Sequence, residues 1–303
     1  MRRKHLRAAL AVAICTATAT AGAAPPRVVA TIEPLAMLLR EIGGDRIEIA
    51  VLVPPGASPH TFEPQPSDVT ALARASLLVE VGAGLDTWVR GLAGAASPAP
   101  ARVTVADAPD LDLLPASGSH APADRDASGA RFDPHFWLDP VRVRDAVVPA
   151  LTAALVRNDP EGRSGYEARA DAFREQLRVL DEDVRRTLAG HATRFVAFHG
   201  GWRYFAARYG LEEVGVVEEA PGEEPAPRAL AELVRRARAA QVPAILVEPQ
   251  LSPRVAKVLA AEFGASTILV DPNGDPSDPE RSTYAALMRW NARAFARALG
   301  VAP

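Results

Sequence analysis

The stretch Glu161–Ala189, EGRSGYEARADAFREQLRVLDEDVRRTLA, carries the longest regular apolar period in the chain. Tyr166, Ala170, Phe173, Leu177, Leu180, Val184 and Leu188 follow one another by steps of four, three, four, three, four and four. That spacing lays one apolar stripe along one face of an α-helix. At about 1.5 Å per residue the helix would be about 43 Å long. Set between two α/β halves, it is read as a rigid spine that allows small movements of the halves and not a wide hinge.

On both sides of this segment, short β-branched runs alternate with amphipathic helical patterns. Toward the N-terminus, strands are expected at Arg27–Ile32, Ile47–Val53, Leu77–Val81 and Arg102–Val105. Helices are expected at Pro34–Ile42, Ser67–Ala75 and Leu85–Leu92, and from Pro140 to about Val156. Toward the C-terminus, the expected strands are Arg194–Phe198, Val214–Val217, Ala244–Val247 and Thr267–Val270. The helices there are Trp202–Tyr209, Pro227–Gln241, Pro253–Phe263 and Pro279–Leu299. Such alternation is the mark of helices layered on parallel sheets. The expected fold class is therefore α/β, with two lobes, each a mostly parallel sheet flanked by helices, joined by one long backbone helix. The expected boundaries are an N-terminal lobe over 24–157, a linking helix over 158–190 and a C-terminal lobe over 191–303. Residues 115–131 are rich in Ala, Ser, Gly, Asp and Pro and are read as a flexible surface loop.

The chain start reads as an address. Arg2, Arg3, Lys4 and Arg7 precede an apolar run from Ala8 to Ile14, and small residues lead to Ala21-Gly22-Ala23. Residues 1–23 are thus expected to be a cleaved signal peptide, with the mature protein periplasmic. Val12-Ala13-Ile14-Cys15 offers a lipid-attachment reading as the lesser alternative. Cys15 is the only cysteine, so the mature chain has no thiol and no disulfide framework. No later stretch reaches the 18 or so apolar residues of a spanning helix.

The 303 residues hold 34 Lys+Arg against 37 Asp+Glu, a net charge of -3, which lends no support to nucleic-acid binding. Hydrophobic residues at 48% and charged ones at 23% suit a packed globular chain rather than a disordered one. Neither G-x-x-x-x-G-K-[ST] nor a strand-borne G-x-G-x-x-G occurs, so phosphate cradles are absent.

The chemistry-bearing residues sit where strands end. His60 follows the second expected strand in Pro54-Pro55-Gly56-Ala57-Ser58-Pro59-His60. His199 follows the strand Arg194–Phe198, and Asp271 follows Thr267–Val270. His135 lies in Asp133-Pro134-His135-Phe136-Trp137-Leu138-Asp139-Pro140, a proline-stiffened entry to a helix. Ligand sites of open α/β sheets gather beyond the carboxyl ends of strands. Sequence gaps this wide exclude a local finger but suit a cleft between lobes. Three neutral imidazoles and one carboxylate then make a closed shell for a divalent ion at about 2.0–2.2 Å per bond. Imidazole-rich donors favour Zn²⁺, while carboxylate-rich ones favour Mn²⁺. A lone His at a strand end is commonly a satisfied polar residue, and Asp-Pro is a common turn, so the joint pattern carries the weight. His120 in the loop is read as solvated, and His191 as a cation at a helix end. Glu248, in Val247-Glu248-Pro249-Gln250, either supports a ligand His or forms an interlobe salt bridge.

These segments resemble the periplasmic solute-binding proteins of zinc and manganese ABC importers, the ZnuA-like and TroA-like family. The likeness is carried by Pro59-His60-Thr61-Phe62-Glu63-Pro64, by Asp133–Pro140, by Phe198-His199-Gly200-Gly201-Trp202, by Val247-Glu248-Pro249-Gln250 and by Val270-Asp271-Pro272. It covers nearly all of the mature chain. It implies two α/β lobes joined by a long helix and a metal held between them at the positions of His60, His135, His199 and Asp271. Gly200-Gly201 departs from the acidic-small pair of many members, and the loop before Asp133 lacks a His-rich tract. His at 199 resembles the zinc side of the family.

The expected function is a carrier, not an enzyme, that captures Zn²⁺ as cargo and delivers it to a membrane permease powered by a separate ATPase. The expected partners are the metal ion and the permease, with no nucleic acid, and the carrier is a monomer. A Mn²⁺ or Fe²⁺ carrier of the same fold is the alternative. A secreted zinc hydrolase, with Asp271 displaced or Glu63 as base, is the less favoured one, since no H-E-x-x-H occurs.

Overall fold

A computed structural model describes residues 24–116, 132–190, 193–218, 225–250 and 253–300. Residues 1–23 with His5 and Cys15, residues 117–131 with His120, and His191 lie outside the described residues. In the first half, strands β1 (Arg27–Ala30), β2 (Glu48–Val51), β3 (Leu77–Glu80) and β4 (Ala101–Thr104) form a parallel sheet in the order β2-β1-β3-β4. In the second half, β5 (Arg194–His199), β6 (Glu212–Glu218), β7 (Ala244–Val247) and β8 (Ser266–Leu269) repeat the order as β6-β5-β7-β8, again all parallel. The inner strands are the apolar ones. Every residue of β3 and β7 is buried, whereas the edge strands β4 and β8 keep exposed positions. Helices cover both faces of such sheets, which forces this composition on the inner strands.

The helices are α1 (Glu33–Gly43), α2 (Pro66–Ala73), α3 (Trp88–Ala95), α4 (Pro140–Arg142), α5 (Val148–Asn158), α6 (Arg163–Leu188), α7 (Arg203–Tyr209), α8 (Pro227–Ala239), α9 (Pro253–Phe263) and α10 (Tyr284–Ala298). A π-helical turn over Val143–Val147 joins α4 to α5. The apolar stripe read from the sequence is the buried face of α6, residue for residue from Tyr166 to Leu188. With 26 residues, α6 is about 39 Å long. It is shorter than the pattern suggests because Pro160–Gly162 forms a separate tight turn and Ala189 is already extended.

α6 packs on α1 and α5 of the first half and on α10 of the second. One continuous apolar cluster therefore runs through both halves, from Leu38 and Leu155 through Leu180 to Phe195 and Phe295. Smaller clusters lie on the outer faces of the two sheets, around Leu72 and Val89 in the first half and around Leu233 and Leu259 in the second.

Two helices begin later than the sequence pattern predicts. α3 starts at Trp88 rather than Leu85 because the preceding turn is tied by a buried carboxylate. Asp86 accepts from Val81 N at 2.6 Å, Gly82 N at 2.9 Å and Thr31 Oγ1 at 2.6 Å. The turn itself needs left-handed backbone, with φ of 81° at Gly82 and 85° at Gly84. α10 starts at Tyr284 rather than Pro279. Asp275 and Asp278 accept from the amides of Ser277 and Glu280, which turns the chain first, and the Thr283 hydroxyl then caps the helix through Ala286 N. Two strands are longer than expected, for β6 runs from Glu212 to Glu218 and β5 includes His199, paired in register with Glu218.

Candidate metal centre

His60 stands on the loop between β2 and α2. Phe62, two residues on, packs against Trp88 at 4.8 Å between ring centroids and fastens the loop to α3. His199 is the last residue of β5, an inner strand with β6 on one side and β7 on the other. It lies at the point where the strand order reverses, the usual place for a ligand in such sheets. His135 precedes the tight turn Phe136–Leu138. Its own N–H and its Nδ1 both lie within hydrogen-bond reach of Asp133 Oδ1, at 2.9 and 2.8 Å. A carboxylate oxygen only accepts, so the ring proton sits on Nδ1 and the Nε2 lone pair points inward.

The three imidazoles meet. His135 Nε2 is 3.2 Å from His60 Nε2 and 3.3 Å from His199 Nε2. All three ligand atoms lie within 4.8 Å of one another, the one such group among the described residues. Two nitrogens bound at about 2.0–2.1 Å to a tetrahedral ion lie about 3.3 Å apart. The spacing is thus that of ligands around a common centre. His135 and His199 are 3% and 4% exposed, and His60 is half-buried, so the site is dry with one wetter edge. Gly201 eases the approach, since a Cβ there would press His135 Cδ2 slightly at 3.3 Å and meet His199 Cδ2 at an ordinary 3.5 Å. The cavity bordered by the three histidines, Glu248, Gln250 and Asn273 is about 10 Å³, room for one small occupant.

Asp271 does not join the trio. It is buried just beyond β8, and its Oδ1 accepts from Asn273 N at 3.0 Å and Gly274 N at 2.9 Å, while Oδ2 lies 2.6 Å from Arg281 Nη1. Glu248, just after β7, faces the cavity instead. Its Oε1 accepts from Trp202 Nε1 at 3.0 Å and its Oε2 from Gln250 Nε2 at 2.9 Å. Burial, with Asp271 and Glu218 nearby, pushes its acid up to about 8. Among the described residues it makes no ion pair, which favours a supporting role beside the histidines over an interlobe salt bridge.

Two features escape sequence reading in different degrees. Asp133 orients His135, and the D-x-H spacing is its signal, because a carboxylate two residues back reaches both the amide and the ring. Arg281 leaves no signal at all. The segment 133–139 is also held by the second half. Tyr204 Oη donates to Asp133 O at 2.8 Å, Tyr284 Oη to Trp137 O at 2.7 Å, and Arg208 grips Asp139 with two bonds of 2.8 and 2.9 Å. The turn that bears His135 is therefore braced from the second half as well as from the first, where Asp133 N donates to Leu114 O at 2.9 Å.

The chain has known relatives. The chain is 30% identical over 309 residues to the high-affinity zinc uptake system protein ZnuA of Bacillus subtilis, covering 94% of this chain and 93% of that protein. It is 29% identical to the manganese-binding lipoprotein MntA of Halalkalibacterium halodurans, covering 90% and 88% of the two chains. A crystal structure of ZnuA superposes with a TM-score of 0.80 at 28% identity, over 91% of this chain and all of that one. The family model of the periplasmic zinc-uptake complex component A, ZnuA, matches residues 28–298, and the chain belongs to that family.

Proposed function

We propose that the protein is the metal-binding component of an ABC importer, capturing Zn²⁺ outside the cytoplasm and handing it to a membrane permease. The observation that carries this reading is the convergence of three Nε2 atoms, two of the separations being 3.2 and 3.3 Å. His60, His135 and His199 supply three neutral nitrogen donors, and Asp271 turns in as the fourth, its neighbours Pro272 and Asn273 already bordering the cavity. The all-nitrogen trio favours zinc over manganese. Manganese remains the second cargo, favoured by the likeness to a protein named for binding it. The carrier reading extends to the rest of the chain: residues 1–23 are removed on export, the protein works as a monomer without nucleic acid, and it is not an enzyme. Four protein donors close the shell and leave no open coordination position for a substrate, which argues against hydrolysis.

Calorimetry with a competing chelator tests the reading. One Zn²⁺ per chain is expected, with affinity falling at least about a hundredfold in each of His60→Ala, His135→Ala and His199→Ala. Unchanged affinity in all three variants removes the site.

A further inference from the structure

Arg281 lies behind the trio, against the carboxylate that has to complete it. Its Nη1 is 2.6 Å from Asp271 Oδ2, its Nε is 2.8 Å from Asp278 Oδ2, and its Nη2 is 3.9 Å from Asp275 Oδ2. The guanidinium carbon also sits 5.3 Å from the centre of the Trp290 ring. The Asp271 and Arg281 side chains are 4% and 16% exposed, so water screens the pair little. Asp271 is thus a carboxylate already neutralised by a cation of the chain itself.

We propose that Arg281 is an internal counter-cation that competes with the divalent ion for Asp271, tempering the affinity of the site and easing release. The proposal rests on reading Asp271 as the fourth donor. A buried carboxylate without a counter-charge is costly, so without Arg281 the incoming metal would be the only cation on Asp271, whose other oxygen keeps its two backbone donors, and would be held hard. With Arg281 present, each binding event exchanges one cation for another on the same carboxylate. The displaced guanidinium keeps a place to go, because Asp278, Asp275 and the Trp290 face hold it from the other side. A pair built only for stability has no need of that second set of partners. Arg281 acts through Asp271 and is a positioning residue, not a ligand.

The test is Zn²⁺ affinity by chelator competition, with dissociation followed by stopped flow, in Arg281→Gln, Asp271→Asn and the double variant. Arg281→Gln is expected to bind about tenfold tighter and release more slowly, since one unit of lost competition is about a factor of ten. Its metal-free form should melt below wild type, and its zinc-loaded form should not. Arg281→Lys, which keeps the charge, should stay within about threefold of wild type. In the Asp271→Asn background the Arg281→Gln effect should vanish. Unchanged or weaker binding in Arg281→Gln, or tighter binding that persists with Asp271→Asn, overturns the proposal alone. Asp271→Asn binding zinc like wild type overturns the reading of Asp271 as a donor and the proposal with it. Should Arg281→Gln not fold, Asp278→Asn decides. It removes the nearer of the two other carboxylates that hold Arg281, so weaker zinc binding supports the competition, and equal or tighter binding overturns it.

Discussion

The indole Nε1 of Trp137 donates to the carbonyl of Pro272 at 2.8 Å. A residue two places from His135 is thereby bonded to the immediate neighbour of Asp271, across 135 positions of chain. The bond is buried and joins the histidine-bearing turn to the loop after β8. Replacing Trp137 by Phe keeps an aromatic group but removes the donor to the Pro272 carbonyl and shrinks a fully buried side chain, and the lost donor alone costs about 1–3 kcal/mol. The midpoint of denaturant unfolding should fall accordingly, and zinc affinity should fall with it. A variant with normal stability but weakened zinc binding would place the bond's role in the site alone.

Asp133 fixes which nitrogen of His135 is bare. Asp133→Ala is expected to lower zinc affinity by about 10- to 100-fold, as loss of an orienting partner does elsewhere. Chelator competition on the folded variant measures it. An unaltered affinity would mean that the ring finds its tautomer without help.

His60 comes from the loop after β2 in the first half, and that loop is pinned by the Phe62–Trp88 contact. An aromatic pair contributes about 0.5–1.5 kcal/mol beyond its buried area. Phe62→Ala should therefore speed zinc dissociation about two- to tenfold in stopped flow. No change in the off-rate would place the controlling motion elsewhere.

Leu180 lies fully buried on α6, inside the cluster shared by both halves. Leu180→Ala should cost about 2–5 kcal/mol through lost burial and a residual cavity. Because the core is continuous, far-UV dichroism and tryptophan fluorescence should report one coincident transition in wild type and variant. Two separated transitions would show halves that unfold independently.

The acid limb of stability has an identifiable source. Asp159 sits 2.5 and 2.9 Å from Arg46 Nε and Nη2 and accepts from Tyr166 Oη at 2.6 Å. The Arg46 guanidinium holds its carboxyl down to about 2, against 3.8 ordinarily. The unfolded chain therefore binds the proton more readily between those values, so this contribution is present above about pH 4 and is lost as pH falls toward 2. Asp159→Asn should flatten the dependence of unfolding free energy on pH in that window, read from urea titrations. An unchanged slope would assign the acid limb to other carboxylates.

Much of this was legible in the linear chain, and the reasons differ by feature. The face of α6 was readable because burial of one helical side leaves a period. The places of His60 and His199 were readable because both follow strands of parallel sheets, whose ends point to a common rim, and His135 was readable from the proline-flanked Asp133–Pro140 segment. The pairing of Asp271 with Arg281 was not, since both lie in a turn-rich run, 271–283, whose carboxylates shape the backbone as readily as they bind anything. That same run hid the true start of α10. The attachment of 133–139 to the second half was equally hidden, because contacts from Tyr204, Arg208 and Tyr284 obey no period. The late start of α3 came from a single buried aspartate, and a helical moment does not register such a residue.

The spacing of the histidine nitrogens decides what sheds water. An ion seated among nitrogens 3.2 and 3.3 Å apart has exchanged at least three of its waters for the protein. Magnesium parts with its waters reluctantly and prefers oxygen to nitrogen. On the proposed reading, dehydration and ligand preference turn it away together.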